Sequence, residues 1–153
     1  MKILYLHGWK SVSGGVKPSY LAAQGHEIVE PELPEDDFAA ALDIAQTEFD
    51  RIAPNVVVGS SRGGALAMNL NAGTTPLVLL CPAWKRWGES RTVKPGPQIL
   101  HSREDEVIPF EESVELLRNS GLDESALTVT GENHRLFDPA SLEAMNLAVL
   151  KHR

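Results

Sequence analysis

Val56-Val57-Val58-Gly59-Ser60-Ser61-Arg62-Gly63-Gly64-Ala65-Leu66-Ala67-Met68 is a β-branched run, then Gly-x-Ser-x-Gly, then an alanine-rich segment with helical spacing. This order predicts a strand, a tight turn and a helix, with Ser61 at the tip of the turn. A serine so placed projects its hydroxyl out of the sheet, and glycines must flank it because a Cβ there would meet the neighbouring strand or helix. Ser61 is thus the candidate nucleophile of a nucleophile elbow, and Ser60 its turn neighbour. The five-residue pattern alone arises by chance on the order of once in twenty chains of this length, so its weight depends on its surroundings.

Working outward, Lys2 to Leu6, His26 to Val29, Leu77 to Leu80, Gln98 to His101 and Leu127 to Thr130 are further short β-rich runs beside Asn55 to Val58. Several are apolar almost throughout, as strands buried on both faces of a parallel sheet should be. Helices are predicted over 17–24, 36–49, 61–71, 111–120 and 139–152. The second opens with acids suited to a helix N-terminus and sets Phe38, Leu42, Ala45 and Phe49 along one stripe. Met68 and Met145 read as core. Strands alternating with helices imply right-handed crossovers and a three-layer α/β/α sandwich with a parallel sheet of about six strands, its ligands at the carboxyl ends. One domain over residues 1–153 is expected.

The chain is 42% apolar, long enough to bury a core, and carries a formal charge of −7. Its basic residues are scattered, which argues against a nucleic-acid footprint and leaves acidic partners disfavoured. The single cysteine, Cys81, follows Pro76-Leu77-Val78-Leu79-Leu80 and reads as a buried thiol; no intrachain disulfide is possible. The N-terminus enters a short strand and reaches His7-Gly8 without the apolar core of a signal peptide, and no segment approaches spanning length, so a cytoplasmic location without membrane contact is expected. No His-x-x-x-His or Cys-x-x-Cys spacing occurs, so neither metal nor cofactor is expected, and Gly14-Gly15 lacks the rest of a phosphate loop.

A serine hydroxyl is a weak nucleophile at neutral pH and needs a histidine to take its proton and a carboxylate to orient that histidine. Asp105 lies in the loop His101 to Pro109 after one predicted strand, and His134 in the loop Gly131 to Leu136 after the next. Asp138 is the rival acid, although Asp138-Pro139 also reads as an N-cap with a first-turn proline. His7 and His101 read as loop organisers, His26 and His152 as surface or terminal residues. The oxyanion formed on attack needs N–H donors, and the Arg62 amide, next after the nucleophile at a helix start, is one.

The pieces Leu4-Tyr5-Leu6-His7-Gly8-Trp9, Gly59-Ser60-Ser61-Arg62-Gly63-Gly64, His101 through Pro109 and Asn133-His134-Arg135 occur in an order that gives Ser61, Asp105, His134. With them the chain resembles the α/β-hydrolase superfamily, and within it the small, lidless bacterial esterases of the YqiA-like group, along nearly its whole length. The resemblance implies a minimal α/β-hydrolase fold without a cap domain. It implies Asp105 as the acid, with Glu104 and Glu106 pointing elsewhere, and Trp9 as the second oxyanion donor with its side chain bordering the pocket. The activity implied is hydrolysis of a small-molecule ester through an acyl-enzyme. Thioesterases, acyltransferases and peptidases share the elbow, and a binding protein on the same fold is the non-catalytic alternative.

Cys81 to Arg91 and on to Pro95 leaves room for only a loop after the fourth strand, so an open site favouring short acyl groups is expected. Trp84 and Trp87 lie three apart in this loop. They read equally as a wall of the substrate pocket or as packing over the sheet edge.

Overall fold

Strands β1 (Lys2–Leu6), β2 (Glu27–Val29), β3 (Val56–Ser60), β4 (Leu77–Leu80), β5 (Gln98–His101) and β6 (Leu127–Val129) form one parallel sheet in the computed structural model, which describes residues 1–9 and 14–153. Their order across the sheet is β2-β1-β3-β4-β5-β6, so the direction of growth reverses at β1. The strands are apolar on both sides because both sides are covered. Leu4, Leu6, Val57, Leu77, Leu79 and Ile99 pack with residues of α2 (Phe38–Ile52), α3 (Arg62–Asn69) and α4 (Glu111–Ser120). Ile3, Tyr5, Val56, Val58, Val78, Leu80 and Leu100 pack on the other face with residues of α1 (Val16–Ala23) and α5 (Pro139–Leu150). Each fully buried leucine or valine contributes about 2 kcal/mol relative to exposure.

Local chemistry sets the helix ends. The Asp37 carboxylate accepts from the Ala40 amide at 2.9 Å and starts α2. Asp138 does the same for Ser141 at 3.1 Å, with Pro139 in the first turn, so it is occupied as the N-cap of α5. Gly121, at φ 65°, stops α4 in the left-handed conformation.

Boundaries move where a partner outweighs local propensity. β3 runs through Gly59 and Ser60 because both pair with β4, opposite Leu79 and Leu80, and Gly59 also pairs with Leu6 of β1. α2 runs on to Ile52, which buries its side chain in the core. His26 is not a surface residue: it is buried, and its Nε2–H donates to Asn146 Oδ1 at 2.8 Å. No cap is inserted among the described residues, and β4 passes to β5 through the loop 81–97. No helix among the described residues is long and apolar enough to cross a membrane.

Candidate active site

The turn between β3 and α3 holds Ser61 at φ 56°, ψ −114°, a left-handed backbone that a serine adopts only where the surroundings impose it. The glycines show what imposes it. A Cβ on Gly59 would collide with the Gly63 carbonyl, and one on Gly63 with the Leu6 carbonyl of β1. One on Gly64 would lie 2.9 Å from Pro82 Cβ. Strand, helix and the loop after β4 therefore close on the turn from three sides. The Ser61 amide donates to Leu80 O at 2.8 Å, and its carbonyl accepts from the Ala83 amide at 3.0 Å.

His134 and Asp105 reach this serine from two neighbouring loops. His134 Nδ1–H donates to Asp105 Oδ2 at 2.8 Å, and Ser61 Oγ lies 3.0 Å from His134 Nε2, where its O–H donates to the ring. Asp105 is saturated with donors: Oδ1 accepts the Val107 and Ile108 amides, each at 2.8 Å, and Oδ2 also receives His101 Nε2–H at 3.1 Å. Burial alone would raise its pKa, but the bonds from His101, His134, Ile108 and Val107 outweigh burial and hold the carboxyl well below the usual carboxylate range.

His101 exceeds the role of loop organiser. Fully buried at the end of β5, it receives Ser113 Oγ–H on Nδ1 at 2.7 Å and donates from Nε2 to Ile108 O at 2.9 Å as well as to Asp105. It joins the acid loop to α4 and so fixes the carboxylate. Glu106 also differs from expectation: rather than pointing away, its Oε2 accepts from the His134 amide at 3.1 Å. Ser102 Oγ donates to Gly131 O at 2.9 Å, a second tie between the two loops. The position of His101 four residues before Asp105 was the available signal. His7 is a local fastener, its Nδ1 3.0 Å from Gly8 O.

In front of Ser61 lies a pocket of about 410 Å³ lined by Gly8, Trp9, Lys17, Ser60, Ser61, His134, Arg135 and Phe137. Trp9 follows β1 and is 52% exposed at its rim. Arg62 opens α3, so its amide has no partner within the helix. Its side chain is buried, donating to Pro34 O at 2.8 Å with its guanidinium 4.9 Å from the Trp87 ring centre.

The two loop tryptophans separate. Trp84 is 1% exposed and its indole N–H donates to Glu112 O of α4 at 3.0 Å, so it packs in the core and forms no pocket wall. Trp87 faces the other way, stacked on Phe38 with ring centres 6.1 Å apart and tilted against Trp9 at 6.4 Å. It backs Trp9 rather than lining the pocket before Ser61. The loop does make one turn here, Ala83 O accepting from the Arg86 and Trp87 amides at 3.1 and 3.2 Å, but the bond from Trp84 to Glu112 O and the stacking of Trp87 on Phe38 draw the two rings apart.

Cys81, Asp105 and His134 bring potential metal-ligating atoms within 4.8 Å of one another. The donor set does not suit an ion. Burial pushes the Cys81 thiol up to about 12, it donates to the His134 carbonyl at 3.3 Å, and Asp105 and His134 are spent on each other.

A parallel sheet with a Gly-x-Ser-x-Gly turn after β3, and Asp105 and His134 brought to it by the loops after β5 and β6, is the arrangement of a hydrolase-type fold of the α/β class. The chain matches the Alpha/beta hydrolase family over residues 3–147 and belongs to it. No curated protein matches it by sequence. Among solved structures it is similar to a hydrolase of the alpha/beta superfamily from Xanthomonas campestris pv. campestris, at 20% identity and TM-score 0.75 over 98% of this chain and 95% of that one. Alpha/beta hydrolase domain-containing protein 10 from mouse follows it at 14% identity and TM-score 0.77, over 98% of this chain and 88% of that one. Est1E from Butyrivibrio proteoclasticus is similar at 16% identity and TM-score 0.70, over 99% of this chain and 87% of that one. At such identities the likeness is one of fold.

Proposed function

We propose that this protein is a serine hydrolase cleaving carboxylic esters through an acyl-enzyme, with Ser61 as nucleophile, His134 as general base and acid, and Asp105 as the group that orients His134. The observation carrying this reading is the unbroken line of hydrogen bonds from Asp105 to His134 at 2.8 Å and from His134 to Ser61 at 3.0 Å. Ser61 Oγ attacks the ester carbon while its proton passes to His134 Nε2. The imidazolium so formed faces an ionised Asp105, which stays charged because four donors surround it. His134 then gives the proton to the leaving alcohol, and a water activated by the same ring releases the acid. The amides of Trp9 and Arg62 meet the oxyanion, each contributing roughly 3 kcal/mol to the transition state.

No cap covers the pocket among the described residues, so small or short-chain acyl esters suit it. A fluorophosphonate probe is expected to label wild-type protein and not Ser61→Ala, and nitrophenyl butyrate to be turned over with a higher kcat/KM than nitrophenyl palmitate. Equal labelling of both proteins overturns the nucleophile assignment. A preference for the long chain overturns the acyl-length assignment, and a preference for thioesters or amides moves the activity to those bonds.

A further inference from the structure

Lys17 is a buried cation beside the nucleophile that no step of the ester mechanism uses. It is 8% exposed and shares the lining of the main pocket with Ser61 and His134. Its Nζ donates to Arg135 O at 2.7 Å and sits 5.0 Å from the centre of the Phe137 ring. It forms no ion pair among the described residues, and residues 10–13, Lys-Ser-Val-Ser, contain no carboxylate to supply one. Glu30 borders the small cavity of about 60 Å³ that adjoins the pocket and also touches Lys17, yet the two form no ion pair. Buried ammonium groups are ordinarily matched by an anion, since desolvation without one costs several kcal/mol.

Local folding gives no reason for a lysine here. Position 17 is in the first turn of α1, where a positive charge opposes the helix dipole, and the N-cap, Gly15, offers no side chain to the orphan amides. Burial draws the ammonium's pKa below its ordinary value, as expected for a cation lacking its counter-charge. Lys17 bonds neither Ser61 nor His134, so it is not poised as a base. The pocket has a sign of its own: Lys17 and Arg135 line it and no carboxylate among the described residues does, on a chain of net charge −7. The disfavour that overall charge sets against acidic ligands is reversed at this one place.

We infer that the pocket takes an ester bearing a carboxylate, which Lys17 holds as its counter-ion beside Ser61. This rests on the ester-hydrolase reading above and names its substrate class. The carboxylate takes the Nζ donors that Arg135 O leaves free, and its reach from the scissile bond positions the substrate.

The test compares esters of equal shape and different charge in wild type, Lys17→Gln and Lys17→Arg. Gln keeps a donor for the Arg135 carbonyl, and Arg keeps the charge. On the acyl side the pair is the 4-nitrophenyl monoester of adipic acid and its terminal amide; on the alcohol side, butyryl glycolate and butyryl glycolamide followed by acid release. In wild type the charged member of one pair is expected to have the higher kcat/KM by about tenfold or more, the value of a hydrogen bond to a charged group. That ratio falls to about one in Lys17→Gln and is retained in Lys17→Arg. The pair that shows it tells which side carries the anion.

A wild-type ratio near one in both pairs, or a ratio unchanged in Lys17→Gln, overturns the inference while leaving the esterase standing. If no ester is cleaved, the esterase reading fails and binding decides the rest. Adipate titrated by calorimetry into Ser61→Ala then binds more tightly than adipamide only if Lys17 is an anion site, and equal affinities overturn it.

Discussion

The two sides of Ser61 are built on different principles. Toward β5 and β6, Asp105 accepts four hydrogen bonds and His101, Glu106 and Ser102 lock its loop to its neighbours. Toward β1 and α1, Trp9 and Phe137 stand substantially exposed and Lys17 is buried with no ion pair among the described residues. On one side the carboxylate of Asp105 is saturated internally and has no acceptor left for a ligand. The other retains aromatic surface and an uncompensated charge, the properties of a wall that is completed by what binds. A preorganised catalytic half and a receptive half are what transition-state stabilisation and substrate choice separately require.

The largest break of this contrast comes at the saturated side's point of action. Ser61→Ala is expected to lower kcat by about a million-fold, with the thermal midpoint unchanged; wild-type turnover in this variant would end the acyl-enzyme mechanism. Asp105→Asn follows, with kcat lowered by about ten-thousand-fold because the wrong tautomer of His134 is then held. The same variant carries a stability signature. Since the folded pKa of Asp105 is depressed, its ionised form stabilises the fold fully above the ordinary carboxylate pKa, near 4, and the contribution is lost as pH falls through the lower folded value. Urea unfolding of wild type and Asp105→Asn should therefore give a stability gap that narrows as pH falls below about 4. A gap that stays constant contradicts the depressed pKa.

His101→Phe tests whether saturation matters beyond the three central groups. It keeps a ring of similar size but removes one of the four bonds to Asp105, and kcat is expected to fall by about tenfold with KM unchanged. An equal rise in KM, or no change in kcat, makes His101 a structural residue only. The smallest effect is expected at Trp84→Phe, which removes the bond to Glu112 O in the core. Stability should drop by about 1 kcal/mol in thermal unfolding while kcat/KM stays within about twofold. A large kinetic effect there would return Trp84 to the pocket.

Legibility from sequence follows the same division. The elbow was readable because steric exclusion at Gly59 and Gly63 permits few alternatives, and the loops of Asp105 and His134 because each follows a strand in one parallel sheet, while the choice of Asp105 over Glu104 and Glu106 came from the family resemblance. Parallel topology brings all such loops to one edge whatever their spacing in the chain. Lys17 escaped because a lysine beside a proline in a first helical turn reads as solvent-facing, and its burial comes from Arg135 and Phe137, the former 118 positions away. Trp84 could not be oriented for a similar reason, since its partner is a carbonyl 28 residues on. Glu106 was misdirected because its acceptor role depends on the height of the histidine loop, which no local pattern encodes.

The histidine loop hangs from β6, a strand of three residues at the edge of the sheet, whereas Ser61 is rooted in the fully buried β3 73 residues earlier. An edge strand is held by one neighbour and opens more readily than a central one. Catalysis by the proposed triad thus depends on an edge strand of the sheet. In rising urea, activity should vanish before the core melts, and amide hydrogens of β6 should exchange faster than those of β3. During refolding the contact between Ser61 and His134, 73 residues apart, would make the return of activity a late event.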